Sequence, residues 1–372
     1  MKKLLQLIVY IAIISNCYQA KSQSKNQRGK AQVLQKTVDS LVSSQMTKQH
    51  IPGLSLAIIK DGNVLVAKGY GLANLEHNIP ATEETIYKIG SVSKHMVATA
   101  TILLIQEGKL RLTDSIPKFF KGSPESWNKI TIRHLMNHTS GLPRESPLED
   151  NMKIQTDSVL IRGAYDSKLL FEPGSKWQYC NLGYFMLADI IRQLSGASFA
   201  GFMEKQVFNK YNLSNTRTTT TSALVKNRAD GYVYRSDGSY YNAEDYLALR
   251  PSGAFISSIK DLIKWEMLMQ NNKLLSQENW SKMWQDKVKT PNADKPPFQH
   301  YGYGWDVIEY KKGLVQNHGG SLPGFTSKYF RSVDGKTAII VLSNANGANL
   351  GSIVEQIADR VFTERRSEEH TK

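Results

Sequence analysis

The chain has 372 residues, 41% of them hydrophobic and 22% charged, a balance that supports a sizeable buried core and excludes a fibre or a wholly disordered chain. Its 47 Lys and Arg outweigh 33 Asp and Glu, for a net charge of +14. With no zinc-finger spacing and no aromatic-interleaved basic motif, that excess is general surface character, and no nucleic-acid partner is expected.

Lys2 and Lys3 precede an apolar run from Leu4 to Ile14, the layout of a signal peptide. The run is shorter than the roughly 20 apolar residues of a spanning helix; an uncleaved N-terminal anchor is the alternative. Two processing points are open. Ala20-Lys21-Ser22 has small residues at cleavage offsets, whereas Ile14-Ser15-Asn16-Cys17 resembles a loose lipobox that would put a lipid anchor on Cys17. Either way the expected product is exported: periplasmic or secreted, or a lipoprotein. The boundaries are 1–22 for the signal peptide and 23–35 for a Ser/Gln/Lys-rich tether. Removal of Cys17 leaves Cys180 alone, so no internal disulfide is expected.

Next in chain order, Leu54–Ile59 and Val64–Ala67 flank Asp61-Gly62, a hairpin signal. A short strand is predicted over Ile86–Ile89. A helix follows from Ser91 to Gly108, with Val92, Met96, Leu103 and Leu104 on one stripe. Further helices are predicted over Thr131–Met136 and Asn181–Leu194. Strands return at Gly302–Val307, Gly313–Gln316, Gly324–Arg331 and Thr337–Ser343, with a second hairpin turn at Asp334-Gly335. Leu350, Ile353, Val354, Ile357, Val361 and Phe362 form a closing helical stripe. Strands at both ends with helices between predict an α/β (α+β) fold: an antiparallel sheet flanked by helices, with a mainly helical region inserted.

Three short patterns carry chemistry. Ser91-Val92-Ser93-Lys94 places a hydroxyl and an amine three residues apart on one helical face. Serine needs such a base to become a nucleophile, and a helix N-terminus favours an oxyanion while disfavouring protonated Lys94. The same S-x-x-K spacing occurs at Ser22, Ser115, Ser126 and Ser257. Ser22 lies in the tether, Ser115 is followed by Pro117, and Ser126 lies in a loop-like stretch. Ser257 is the serious rival, although Ser258 and Asp261 fit a capping box there. The second pattern is Tyr179-Cys180-Asn181: a phenol can shuttle a proton and an amide can hold a carbonyl. Tyr240-Tyr241-Asn242 repeats that pattern. The third is His318-Gly319-Gly320 with Ser321, where glycines permit close backbone approach to a ligand; His300-Tyr301-Gly302 is a weaker echo upstream.

In this order the three patterns resemble the penicillin-recognising serine hydrolases, which include class C β-lactamases, DD-peptidases, D-aminopeptidases and related esterases. The run His134-Leu135-Met136-Asn137-His138-Thr139-Ser140-Gly141-Leu142 agrees, as do Phe171-Glu172-Pro173-Gly174 and Tyr303-Gly304-Trp305. The resemblance covers one hydrolase domain over 36–363, followed by a tail at 364–372. It implies a site between a sheet and a helical region. Ser91 would be the nucleophile, Lys94 the base, Tyr179 the proton shuttle and Asn181 a substrate-binding residue. The backbone N–H groups of Ser91 and Ser321 would form the oxyanion hole, beside His318 and Gly320. No metal or cofactor is implied, and His134 and His138 are read as structural.

One departure stands out: most β-lactamases have Lys where this chain has His318. A histidine of ordinary pKa about 6.5 would face a substrate carboxylate, titrate near neutral pH and attract it less strongly than Lys. The expected function is therefore an acyl-transferring hydrolase of small D-amino-acid peptides, amides or esters. A class C-type β-lactamase is one alternative. The other is a penicillin-binding sensor or scaffold that is acylated without turnover, which normally needs a second membrane-crossing run. Substrate and oligomeric state are left open by the sequence.

Overall fold

Alternation along the central strands explains how the molecule is layered. In β1 (Gly53–Lys60), Leu54, Leu56 and Ile58 join one buried cluster while Ala57 and Ile59 join another. In β14 (Thr337–Ser343), Ile339 and Val341 join the first cluster, and Ala338, Ile340 and Leu342 the second. A strand apolar on both faces must be covered on both. Two terminal helices cover one face: α1 (residues 32–49), through Val38, Leu41 and Val42, and α9 (Leu350–Val361), through Ile353, Val354 and Ile357. A helical region covers the other.

This computed structural model describes residues 32–218, 223–246, 250–294, 298–311 and 313–362. The expected signal peptide, Cys17 and the expected 364–372 tail lie outside the described residues. Among the described residues the main sheet has nine strands, ordered β3-β2-β1-β14-β13-β12-β11-β10-β9. Besides β1 and β14 these are β2 (Asn63–Asn74), β3 (Ile79–Pro80), β9 (Val288–Lys289), β10 (Gln299–Tyr301), β11 (Asp306–Tyr310), β12 (Gly313–Leu322) and β13 (Phe325–Ser332). Each neighbouring pair is antiparallel. The Asp61-Gly62 turn closes β1 onto β2 with positive φ at both residues, 48° and 73°, as a two-residue hairpin requires.

The helical region contains α2 (Ser93–Gln106), α3 (Ile132–Met136), α4 (Asp157–Gly163), α5 (Asn181–Ser195), α6 (Phe199–Phe202), α7 (Ile259–Gln270) and α8 (Gln277–Gln285). Helix α2 is buried on nearly every side from Ser93 to Ile102, so it forms the centre of that layer. Two small sheets also lie in the middle of the chain, β4 (Tyr87–Lys88), β8 (Phe255–Ser257) and β5 (Arg217–Thr218) in one, β6 (Tyr232–Tyr234) and β7 (Tyr240–Asn242) in the other.

Several boundaries differ from the sequence reading. Residues 32–35, assigned to the tether on composition, begin α1. The strand expected over Gly302–Val307 is instead an irregular bend before β11. Gly304 has φ +75°, and Tyr303 and Trp305 are both buried in the core. Strand β12 runs six residues past Gln316, through the glycine pair to Leu322. The helix expected from Ser91 starts at Ser93, after a single 3-10 turn over Gly90–Val92.

Candidate active site

Ser91 sits in that tight turn. Gly90 enters it with φ +51°, a conformation that costs glycine little. The turn packs against the edge of β12, where a side chain on Gly90 would stand 2.9 Å from the Ser321 amide nitrogen. That edge is open. Strand β11 pairs with β12 only as far as Asp306 opposite Asn317, whereas β13 continues to Phe325 opposite Leu322. From His318 onward, β12 therefore borders a cavity of about 730 Å³ lined by Ser91, Tyr179, Asn181, His318, Gly320 and Ser321. The tertiary structure brings these six predicted residues into one cavity, with Lys94 behind Ser91. Gly320 is needed there: any side chain would collide with the Ile89 carbonyl and the Ser327 hydroxyl.

Lys94 lies one turn beyond Ser91 and is fully buried. Its Nζ donates to Ser91 Oγ at 3.2 Å and to the Ser252 carbonyl oxygen at 2.8 Å. Neither partner neutralises a charge, and burial pushes the Lys94 pKa down to about 7. Glu145 opposes that shift and Arg144 adds to it. An amine able to be uncharged near neutral pH thus touches a serine hydroxyl, and can accept its proton.

Tyr179 presents its ring to Lys94 Nζ at 4.8 Å and to the Arg144 guanidinium at 5.2 Å. Burial raises its pKa; the Ser91 side chain pulls the other way. The phenol therefore holds its proton at neutral pH and can relay it. Asn181 opens α5 behind Cys180, whose Sγ caps the Gly183 N–H at 3.3 Å. Asn181 Nδ2 donates to Glu145 Oε1 at 2.6 Å, while its Oδ1 has no partner.

His318 departs from expectation. Its Nε2 lies 3.1 Å from Tyr301 Oη and its Nδ1 2.7 Å from the Gly319 carbonyl oxygen. The carbonyl can only accept, so Nδ1 carries the proton and Nε2 accepts from the phenol. Burial first, then Lys94, drives the pKa down to about 3. The ring is neutral, engaged by the protein at both nitrogens, and does not titrate near neutral pH.

The rival motifs fall elsewhere. Ser257 is buried in β8 with its hydroxyl on Thr216, and Ser258 caps α7. Tyr240-Tyr241-Asn242 forms exposed β7. His134 Nδ1 accepts from the Thr131 N–H and His138 Nδ1 from the Cys180 N–H, so each ring is tied to backbone. Four positions at the cavity had no sequence signal: Ser252, whose carbonyl holds Lys94, and Glu145, Asp306 and Lys328, which line it. Tyr301 was visible only as part of the weaker His-Tyr-Gly echo.

Residues 38–361 match the protein family described as Beta-lactamase. The chain is 27% identical over 343 residues to "Protein flp" of Staphylococcus aureus (strain COL), spanning 89% of this chain and 67% of that protein. "Penicillin-binding protein 4*" of Bacillus subtilis (strain 168) is 27% identical over 329 residues, 83% of this chain and 71% of the relative. Among solved structures, the octameric penicillin-binding protein homologue from Pyrococcus abyssi has a TM-score of 0.79 at 27% identity, covering 88% of this chain and 76% of that one. D-amino acid amidase from Ochrobactrum anthropi SV3, complexed with L-phenylalanine amide, shares the fold with a TM-score of 0.79 at 20% identity, over 89% of this chain and 99% of that one.

Proposed function

This chain belongs to the β-lactamase family and is a serine hydrolase of that kind; on this premise we propose that it acts through an acyl-enzyme on Ser91, on small D-amino-acid peptides, amides or esters. The observation that carries the reading is the contact between Ser91 Oγ and the buried Lys94 amine, at 3.2 Å. Ser91 Oγ attacks the substrate carbonyl carbon while its proton passes to Lys94 Nζ. The Ser91 and Ser321 N–H groups receive the oxyanion. Tyr179 hands a proton to the departing amine or alcohol, and Asn181 steadies the substrate amide. Water then attacks the ester, with the same groups taking its proton, and Ser91 is released. Neutral His318 puts no ammonium beside the scissile bond, where most β-lactamases carry Lys, which favours this reading over efficient β-lactam turnover.

The test pairs labelling with a substrate panel. A fluorophosphonate should add its mass to the peptide containing Ser91, and Ser91→Ala should lose activity by about 10⁴-fold or more. Among nitrocefin, p-nitrophenyl esters, D-Ala-D-Ala peptides and D-amino-acid amides, the last three should be preferred. Labelling at Ser257, or nitrocefin as the best substrate, would overturn the assignment. The reading includes one hydrolase domain over 36–363 and export directed by the first 22 residues. Mature protein from the native host should then begin near Ala20–Ser24 or at a lipidated Cys17, by N-terminal sequencing.

A further inference from the structure

Four basic side chains border the cavity or lie just behind it, and three are occupied. Lys94 is held by Ser91 and Ser252. Arg144 pairs with Glu145 at 3.3 Å. Arg250 spends both Nη groups on the Gln155, Asp150 and Lys153 carbonyls and the Gln155 side chain, and its buried Nε has no partner. The fourth, Lys328, makes no hydrogen bond or ion pair among the described residues. It is half-buried and stands opposite Gly319 across the β12–β13 ladder. A methyl group at Gly319 would meet only the Ser327 carbonyl oxygen, at 3.9 Å, so nothing from β12 fills the space beside the amine.

An enclosed ammonium without a partner is costly unless a ligand completes it. The acidic groups whose charge acts on it are Asp306 and Glu355. Asp306 Oδ1 is taken by the Gln299 amide at 2.8 Å, and burial pushes the Asp306 pKa up to about 6. The N-terminal turn of α9, with Asn349, Leu350 and Gly351, also lines the cavity, and its partial positive charge also favours an anion.

We propose that Lys328, reaching past Gly319 from the neighbouring strand, is the specificity-determining cation of this cavity and binds a carboxylate on the substrate. It supplies the charge that neutral His318 lacks. The inference rests on the acyl-enzyme reading for where the carboxylate lies, on the His318 side of the scissile bond, so its test separates binding from turnover. In a Ser91→Ala background, binding of N-benzoyl-D-alanylglycine and of its methyl ester is measured by calorimetry. The two ligands differ by one charge.

The carboxylate should bind about tenfold or more tightly, as a charge-assisted hydrogen bond implies. Adding Lys328→Met should remove that preference, with the methyl ester affected far less; Lys328→Arg should retain it. A preference that survives Lys328→Met, or no measurable preference up to millimolar ligand, overturns the proposal. The hydrolase reading fails separately, if wild-type protein keeps the Lys328-dependent preference yet neither labels at Ser91 nor cleaves the matching N-benzoyl-D-alanyl thioglycolate.

Discussion

At the scale of single residues, the decisive quantity is the protonation of Lys94. A lysine buried against a hydroxyl and a carbonyl loses hydration that neither replaces, and its pKa falls to about 7. Only the free amine can take the Ser91 proton. Phosphonylation of Ser91 by a fluorophosphonate should therefore rise with pH through about 7, level off above about 8, and fall roughly tenfold per unit below about 6. Tyr179 is shifted upward by burial, so no second titration should appear below pH 9. His318, held near 3, should add none either. Lys94→Ala should acylate far more slowly and without the pH dependence. A flat wild-type profile from pH 5.5 to 9 would remove Lys94 as the base.

At the scale of elements, the site depends on how closely a 3-10 turn approaches an unpaired strand edge. Gly90 at positive φ and Gly320 without a side chain permit that approach. Gly90→Ala puts a methyl group in a disfavoured conformation and 2.9 Å from the Ser321 nitrogen. The conformational part costs about 1–2 kcal/mol, and the clash widens the space between the Ser91 and Ser321 N–H groups. Such preorganised donors are sensitive to small displacements. Gly90→Ala should thus keep a cooperative unfolding transition, slightly lowered, while acylation drops by about 10²-fold or more. Wild-type acylation in the variant would mean that the approach does not build an oxyanion site.

At the scale of the whole molecule, a buried ionic cluster ties the helical layer to the sheet. Glu266 of α7 accepts from Arg331 Nε at 3.0 Å, from Tyr329 Oη at 2.8 Å and from Gln270 Nε2 at 2.8 Å. Arg331 and Tyr329 both belong to β13, whose other end faces the catalytic turn through Ser327 Oγ on the Ile89 carbonyl. Removing one partner of a buried pair leaves an uncompensated charge, a loss of about 3–5 kcal/mol. Glu266→Ala should lower the urea midpoint accordingly, whereas the fraction still folded should acylate normally because Glu266 does not border the cavity. An unchanged midpoint would show that the layers are held by apolar packing alone.

What the sequence determined by itself was local. Two Asx-Gly hairpins, the capped helices and the S-x-x-K spacing are set by turn chemistry and by periodicities that span a few residues. The order of the three motifs was legible for the same reason, as was a sheet drawn from both ends of the chain. Tertiary structure decided the rest, because each deciding partner is remote in sequence. Lys94 reaches the Ser252 carbonyl, Asn181 is gripped by Glu145, and Tyr301 turns His318 inward. The glycine pair looked like the end of a strand, since glycine weakens isolated strands. Only packing against Ile89 and Gly90 shows that the strand must continue there with no side chain at Gly320. Lys328 carried no signal at all: a lysine in an amphipathic strand looks like solvent-facing charge until the cavity beside it is seen.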